Sequence, residues 1–66
     1  MAKVLLQNIL DSKNISYRQA ELRTGVSRST LADIALGKSD PRLGILEQIA
    51  EGLRVRISDL YDSPYK

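Results

Sequence analysis

Apolar positions recur along this chain at three- and four-residue intervals, broken by short polar stretches that punctuate it into helices. Val4, Leu5, Leu6, Ile9 and Leu10 form a broad stripe that predicts a first helix over residues 3–12, ending at Lys13-Asn14. Ser16 opens a second helix, with Gln19 at the spacing of a capping box and Ile15 and Ala20 at the spacing of a small hydrophobic staple. Gly25 closes it after about eight residues, because a sharp helix end uses the left-handed conformation that glycine adopts without steric cost. Ser27 is a good N-cap for a third helix, and Val26 and Leu31 stand at staple spacing. Leu31, Ile34 and Ala35 continue its inward face, Arg28, Ser29, Ala32 and Asp33 its outward face, and Gly37 is the stop signal.

After the loop Lys38-Ser39-Asp40-Pro41, the spacing of Leu43, Leu46, Ile49, Ala50 and Leu53 predicts a fourth helix over residues 42–53, with Gly52 near its end. Arg54 to Ile57 alternate polar and apolar. With no second strand in view to pair with, that stretch reads as a turn or extended linker. Ser58 is expected to cap a short fifth helix, Asp59-Leu60-Tyr61, and Pro64 to leave the tail irregular. The pattern is therefore all-α, a single five-helix domain over residues 1–66 with a helix-turn-helix at about 17–36.

The two short helices that meet at Gly25 both turn apolar faces inward. In such a pair the second helix protrudes far enough to enter a DNA major groove, which is about 12 Å wide. Leu31 and Ile34 would anchor it from below, and Ser27 would cap it while leaving its N-terminal amides facing phosphate.

Charge sharpens this reading. The net charge is only +2, but residues 1–42 hold seven basic and four acidic side chains, net +3, whereas residues 43–66 hold three and four, net −1. A basic part beside a neutral one suits a polyanionic partner. The sequence has no cysteine and no histidine. Disulfides and the usual zinc ligands are thus excluded, as is the commonest acid–base catalyst at neutral pH. Glu47 and Glu51 are the nearest thing to a carboxylate pair, and 66 residues offer little room for the pocket such chemistry needs. The expectation is a protein that is not an enzyme, needs no cofactor, metal or small-molecule ligand, and is soluble and cytoplasmic. No apolar run approaches the roughly 20 residues of a membrane span, and the N-terminus lacks the pattern of a secretion signal.

Ile15-Ser16, the run Thr24-Gly25-Val26-Ser27-Arg28-Ser29-Thr30-Leu31-Ala32-Asp33-Ile34, Gly37-Lys38, and then Pro41, Leu43, Leu46, Ile49-Ala50, Leu53, Val55, Ser58 and Leu60 together resemble the lambda-repressor-like (Cro/repressor, or XRE) family of helix-turn-helix regulators. The resemblance spans roughly residues 3–61. It implies double-stranded DNA as partner, with Arg28, Ser29 and Asp33 at base-reading positions. Tyr17, Thr30, Lys38 and Arg42 match positions that touch the phosphate backbone; Arg18, on the outer part of the second helix, and the cap Ser27 join them. Arginine pairs with guanine O6 and N7 through two donors, and a carboxylate accepts from the cytosine amino group. Family members often pair through the region after helix four, so Leu60 and Tyr61 are assigned to the core or to a homodimer contact.

Three departures from the family pattern stand out. Ala20 and Glu21 occupy positions where leucine and alanine are usual, Tyr17 replaces a common glutamine, and Leu10 and Ala35 stand where an arginine–glutamate pair is frequent. Both members of that pair are absent together, which strands no buried charge and implies a drier core. The function expected is a sequence-specific transcriptional regulator, a repressor acting as a dimer on a near-palindromic operator. The alternative is a protein-interaction module on the same fold, such as a small partner in a mobile-element or toxin–antitoxin system.

Overall fold

The computed structural model describes residues 3–65. Its order is strand β1 (Lys3–Val4), helices α1 (Leu6–Lys13), α2 (Tyr17–Thr24), α3 (Arg28–Ala35) and α4 (Leu43–Leu53), a single 3₁₀ turn (Ile57–Asp59), and strand β2 (Tyr61–Asp62). The expected helical class holds, and four α-helices surround one core.

Local chemistry sets most of the boundaries. At α2 the Ser16 hydroxyl accepts the Gln19 N–H at 3.2 Å, while Gln19 Oε1 accepts the Ser16 N–H at 2.9 Å, the reciprocal capping box. Gly25 ends the helix at φ +77°, its N–H returned to the Glu21 carbonyl at 2.8 Å. Ser27 caps α3 by accepting the Thr30 N–H at 3.3 Å. α1 ends on Asn14 and α4 on Arg54, both left-handed at φ 57°. Asparagine visits this region readily; for arginine it is less common.

The core is Leu6, Leu10, Ala20, Val26, Leu31, Ile34, Ile49, Ala50, Leu53 and Leu60, with Ile9, Ile15, Ala35, Leu46, Val55 and others packed at its margin. Burying a leucine or isoleucine contributes about 1.5–3 kcal/mol, so these few side chains supply most of the driving force. Thr24 is the sole buried polar residue among those described. Leu10 is buried and Ala35 half-buried, in keeping with the drier core that the missing ion pair implies.

Two expectations are corrected. The first helix begins at Leu6, because Lys3–Val4 pair antiparallel with Tyr61–Asp62, in register Lys3 to Asp62 and Val4 to Tyr61. The expected fifth helix is only the 3₁₀ turn Ile57–Asp59, where Asp59 Oδ2 accepts the Arg56 N–H at 3.0 Å, and Tyr61 belongs to β2. The Leu5 N–H donates to the Leu60 carbonyl at 2.8 Å and extends this junction of the two ends. Gly52 falls near the end of α4, as expected. It lies inside α4, where an added Cβ would come within 2.5 Å of the Arg23 carbonyl oxygen and 2.7 Å of Thr24.

That contact reverses the usual effect of alanine in a helix. Gly52→Ala is expected to lower stability by about 1–3 kcal/mol, because backbone must move to admit the methyl. Gly44, in the same helix, has nothing within 4 Å of its Cβ position, and Gly44→Ala is expected to raise stability by up to about 1 kcal/mol. Urea unfolding midpoints of the two variants would show opposite signs; a gain for Gly52→Ala would refute the contact.

Candidate nucleic-acid interface

α3 is eight residues long, hence about 12 Å at 1.5 Å per residue. Leu31 and Ile34 are its buried underside at 0% and 2% exposure, and Arg28, Ser29 and Asp33 are exposed on its outer side. The three residues assigned to base reading thus share the open surface of one helix. Its first turn is fastened by hydroxyls: besides capping, the Ser27 hydroxyl donates to Thr30 Oγ1 at 2.8 Å and lies 3.4 Å from Ser29 Oγ. Its far end is closed by the Lys38 N–H, which donates to the Asp33 carbonyl at 2.8 Å.

The residues assigned to phosphate contact surround this helix without forming one cluster. Thr30 and Arg42 line the same shallow cleft with Ser39, Asp40 and Pro41. Lys38 is exposed in the loop after α3, and Arg42 is exposed just before α4. Arg18 is exposed on the first turn of α2. Tyr17, beside it, is half-buried and its hydroxyl donates to Gln7 Oε1, while Gln7 Nε2 donates to Asp11 Oδ1 at 2.9 Å. Of the two residues assigned to core or dimer contact, Leu60 is in the core at 1% exposure, which removes its side chain from any dimer surface. Tyr61 is half-buried in β2, on the wall of an open groove with Val4, Pro41, Leu43, Leu46 and Ile57.

Two groups that sequence reasoning did not find set the position of α3. Thr24 is buried, donates its hydroxyl to the Ala20 carbonyl at 2.7 Å and accepts the Val26 N–H at 3.1 Å, so one side chain spans the helix end and the turn. The local signal was present, since a threonine hydroxyl readily bonds back one helical turn. Gln48 of α4 donates through Nε2 to the Thr24 carbonyl at 2.9 Å. The partners are 24 residues apart, and no local pattern marks such a pair.

Glu21 is half-exposed rather than buried. Its Oε1 is 3.3 Å from Arg28 Nε and its Oε2 accepts the Arg28 N–H at 3.3 Å. The carboxylate that displaced a small residue in α2 therefore turns out to the rim and engages the first residue of α3.

Comparison with known proteins bears on this geometry. The family model described as Helix-turn-helix matches residues 6–60. A solved candidate DNA-binding protein from Bacteroides fragilis is 27% identical, with a TM-score of 0.82 over 94% of this chain and 100% of its own. An HTH_3 family transcriptional regulator from Vibrio cholerae is 36% identical, with a TM-score of 0.78 over 80% of this chain; the match spans 30% of that longer protein. No curated protein matches significantly.

Gln48→Ala is expected to cost about 1 kcal/mol, the usual net value of one hydrogen bond. It should also speed amide hydrogen exchange at Val26 and in the first turn of α3 more than in α1. Equal protection in parent and variant would mean that Gln48 does not hold the turn.

Proposed function

The chain belongs to the lambda-repressor-like helix-turn-helix family, and from that premise we propose that it is a sequence-specific DNA-binding transcriptional regulator, a repressor that works as a dimer. One observation carries the reading: α3 offers Arg28, Ser29 and Asp33 to solvent while Leu31 and Ile34 anchor it from below. A helix is 10–12 Å across with its side chains, a width the major groove admits.

In this reading Arg28 reads a guanine, Ser29 a less restricted edge, and Asp33 accepts from the amino group of a cytosine, a bond that offsets the repulsion of a carboxylate near phosphate. Ser27, Thr30, Lys38, Arg42, Arg18 and Tyr17 hold phosphates and set register. Tyr17 reaches a phosphate by turning its single hydroxyl donor away from Gln7 Oε1, since a phosphate oxygen only accepts. Two copies place two α3 helices in successive major grooves about 34 Å apart, on a near-palindromic site. Repression follows from occupancy of the operator. Among the described residues no helix is long and apolar enough to cross a membrane, and the setting inferred is the cytoplasm.

A second reading has its own support. The Glu21 carboxylate offsets the charge of Arg28 and Asp33 adds another acid to the same face. Such a surface also suits a protein-interaction module on this fold.

Selection of bound duplexes from a random pool separates the two. Enrichment of a two-fold-symmetric motif with half-sites about one helical turn apart is the expected result. No enrichment at low salt, by protein shown to be folded, would favour the interaction module. On the selected site Arg28→Ala should cost about 1–3 kcal/mol and relax preference at one base pair, whereas Lys38→Ala should weaken all duplexes alike and lower the salt slope by about one. Unchanged base preference in Arg28→Ala would remove Arg28 from the reading surface.

A further inference from the structure

We propose that Glu21 is a specificity-setting residue that presents the Arg28 guanidinium to a guanine edge; the inference rests on α3 being the DNA-reading helix. The Glu21 carboxylate grips Arg28 at two points. Oε2 accepts its backbone N–H and Oε1 faces its Nε, each at 3.3 Å. The first point is the backbone amide, which fixes the carboxylate at the start of α3, and the second is the side-chain Nε, so an arginine that would otherwise sample many rotamers is held at its Nε. An arginine carries five N–H donors in a rigid fork. With Nε turned to Glu21, the two terminal nitrogens stay free, and they are the pair that fits guanine O6 and N7.

Stability does not account for the pair. Its side chains are 62% and 37% exposed, and ion pairs in such surroundings add little to folding. What the pair does change is the balance between attraction and selection. Arg28 alone would attract any nearby phosphate. Glu21 offsets that undirected pull and leaves the directed donors in place. A carboxylate near the DNA backbone also penalises duplexes that do not repay it with base contacts. Both effects lower affinity for arbitrary DNA and widen the gap to the correct site. Glu21 belongs to α2 and touches no base in this scheme; it acts through Arg28.

The test uses the full chain and three duplexes: the selected site, the same site with the guanine opposite Arg28 changed to adenine, and an unrelated sequence. Glu21→Ala is expected to bind the unrelated duplex several-fold more tightly and to lose roughly tenfold of the guanine preference. Glu21→Gln keeps an acceptor for Nε without the charge. It should gain the same unspecific affinity while retaining more of the base preference than Glu21→Ala. In an Arg28→Ala background, Glu21→Ala should leave base preference at that position unchanged. Thermal unfolding midpoints within a few degrees of the parent would show that the fold is intact, and Glu21→Gln serves if the alanine variant fails to fold. Should Glu21→Ala keep full guanine preference while Arg28→Ala abolishes it, the positioning role is wrong and the reading of Arg28 stands. Should neither variant alter base preference, both fall.

Discussion

The close approach of α4 to the end of α2 at Gly52 is the contact on which the rest of the structure depends. Backbone there meets backbone, with no room for a methyl between Gly52 and the Arg23–Thr24 peptide. The approach lets Gln48, one turn earlier on α4, reach the Thr24 carbonyl, and it buries Thr24, whose hydroxyl then takes the Val26 N–H. Gly25 lies in the middle of this arrangement, its own Cβ position 3.1 Å from Gln48 Nε2. The turn that launches α3 is thus held by hydrogen bonds from both sides, and the direction of α3 follows from it. A protruding helix has only its underside for anchorage, so the rigidity of its launch point matters more than it would for a helix buried on several faces.

The two ends of the described chain are joined by a different device. Two residues from each end form a minimal antiparallel pair, and the Leu5 N–H to Leu60 carbonyl bond continues it inward. A ladder this short has little stability of its own. It persists because Leu6 and Leu60, each next to the ladder, are core residues at 1% exposure. The strands satisfy backbone groups that would otherwise lie unpaired at the edge of that core, and they take the place of a fifth helix.

How much of this was legible in the sequence follows from the range of each interaction. The capping box at Ser16 and Gln19, the left-handed Gly25 and the Ser27 cap are all local, and local chemistry can be read residue by residue. The open face of α3 was legible for the same reason, since 3.6-residue periodicity separates Leu31 and Ile34 from Arg28, Ser29 and Asp33. Pairing of Lys3–Val4 with Tyr61–Asp62 was not, because neither dipeptide carries a strand signal without the other. Gly52 reads locally only as a residue near a helix end, and its role exists only through α2. The Glu21–Arg28 pair escaped because its partners, seven residues apart, lie on different helices across a turn, where helical spacing has no meaning. The sequence exposed Glu21 as an anomaly but gave no direction for its side chain.

That anomaly and the Gly52 contact are two sides of one solution. α2 carries a single leucine, Leu22, and it is 79% exposed. What α2 buries fully is Ala20, at 0%, and Thr24, at 6%, both small, with Tyr17 only half-buried at the core's margin. A helix with so little apolar volume to bury is held instead by proximity: small residues meet a glycine, backbones draw near, and dispersion and hydrogen bonds replace hydrophobic bulk. Such an interface tolerates no added atom, because interiors at this density pass displacement on instead of absorbing it. It also frees the next position of α2 from packing. Glu21 can stay at the rim and face α3 only because Ala20 and Thr24 already fill the space beneath. The thin packing of α2 is therefore what makes a carboxylate available beside Arg28, the first residue of α3, and the same tightness holds the two at a fixed separation.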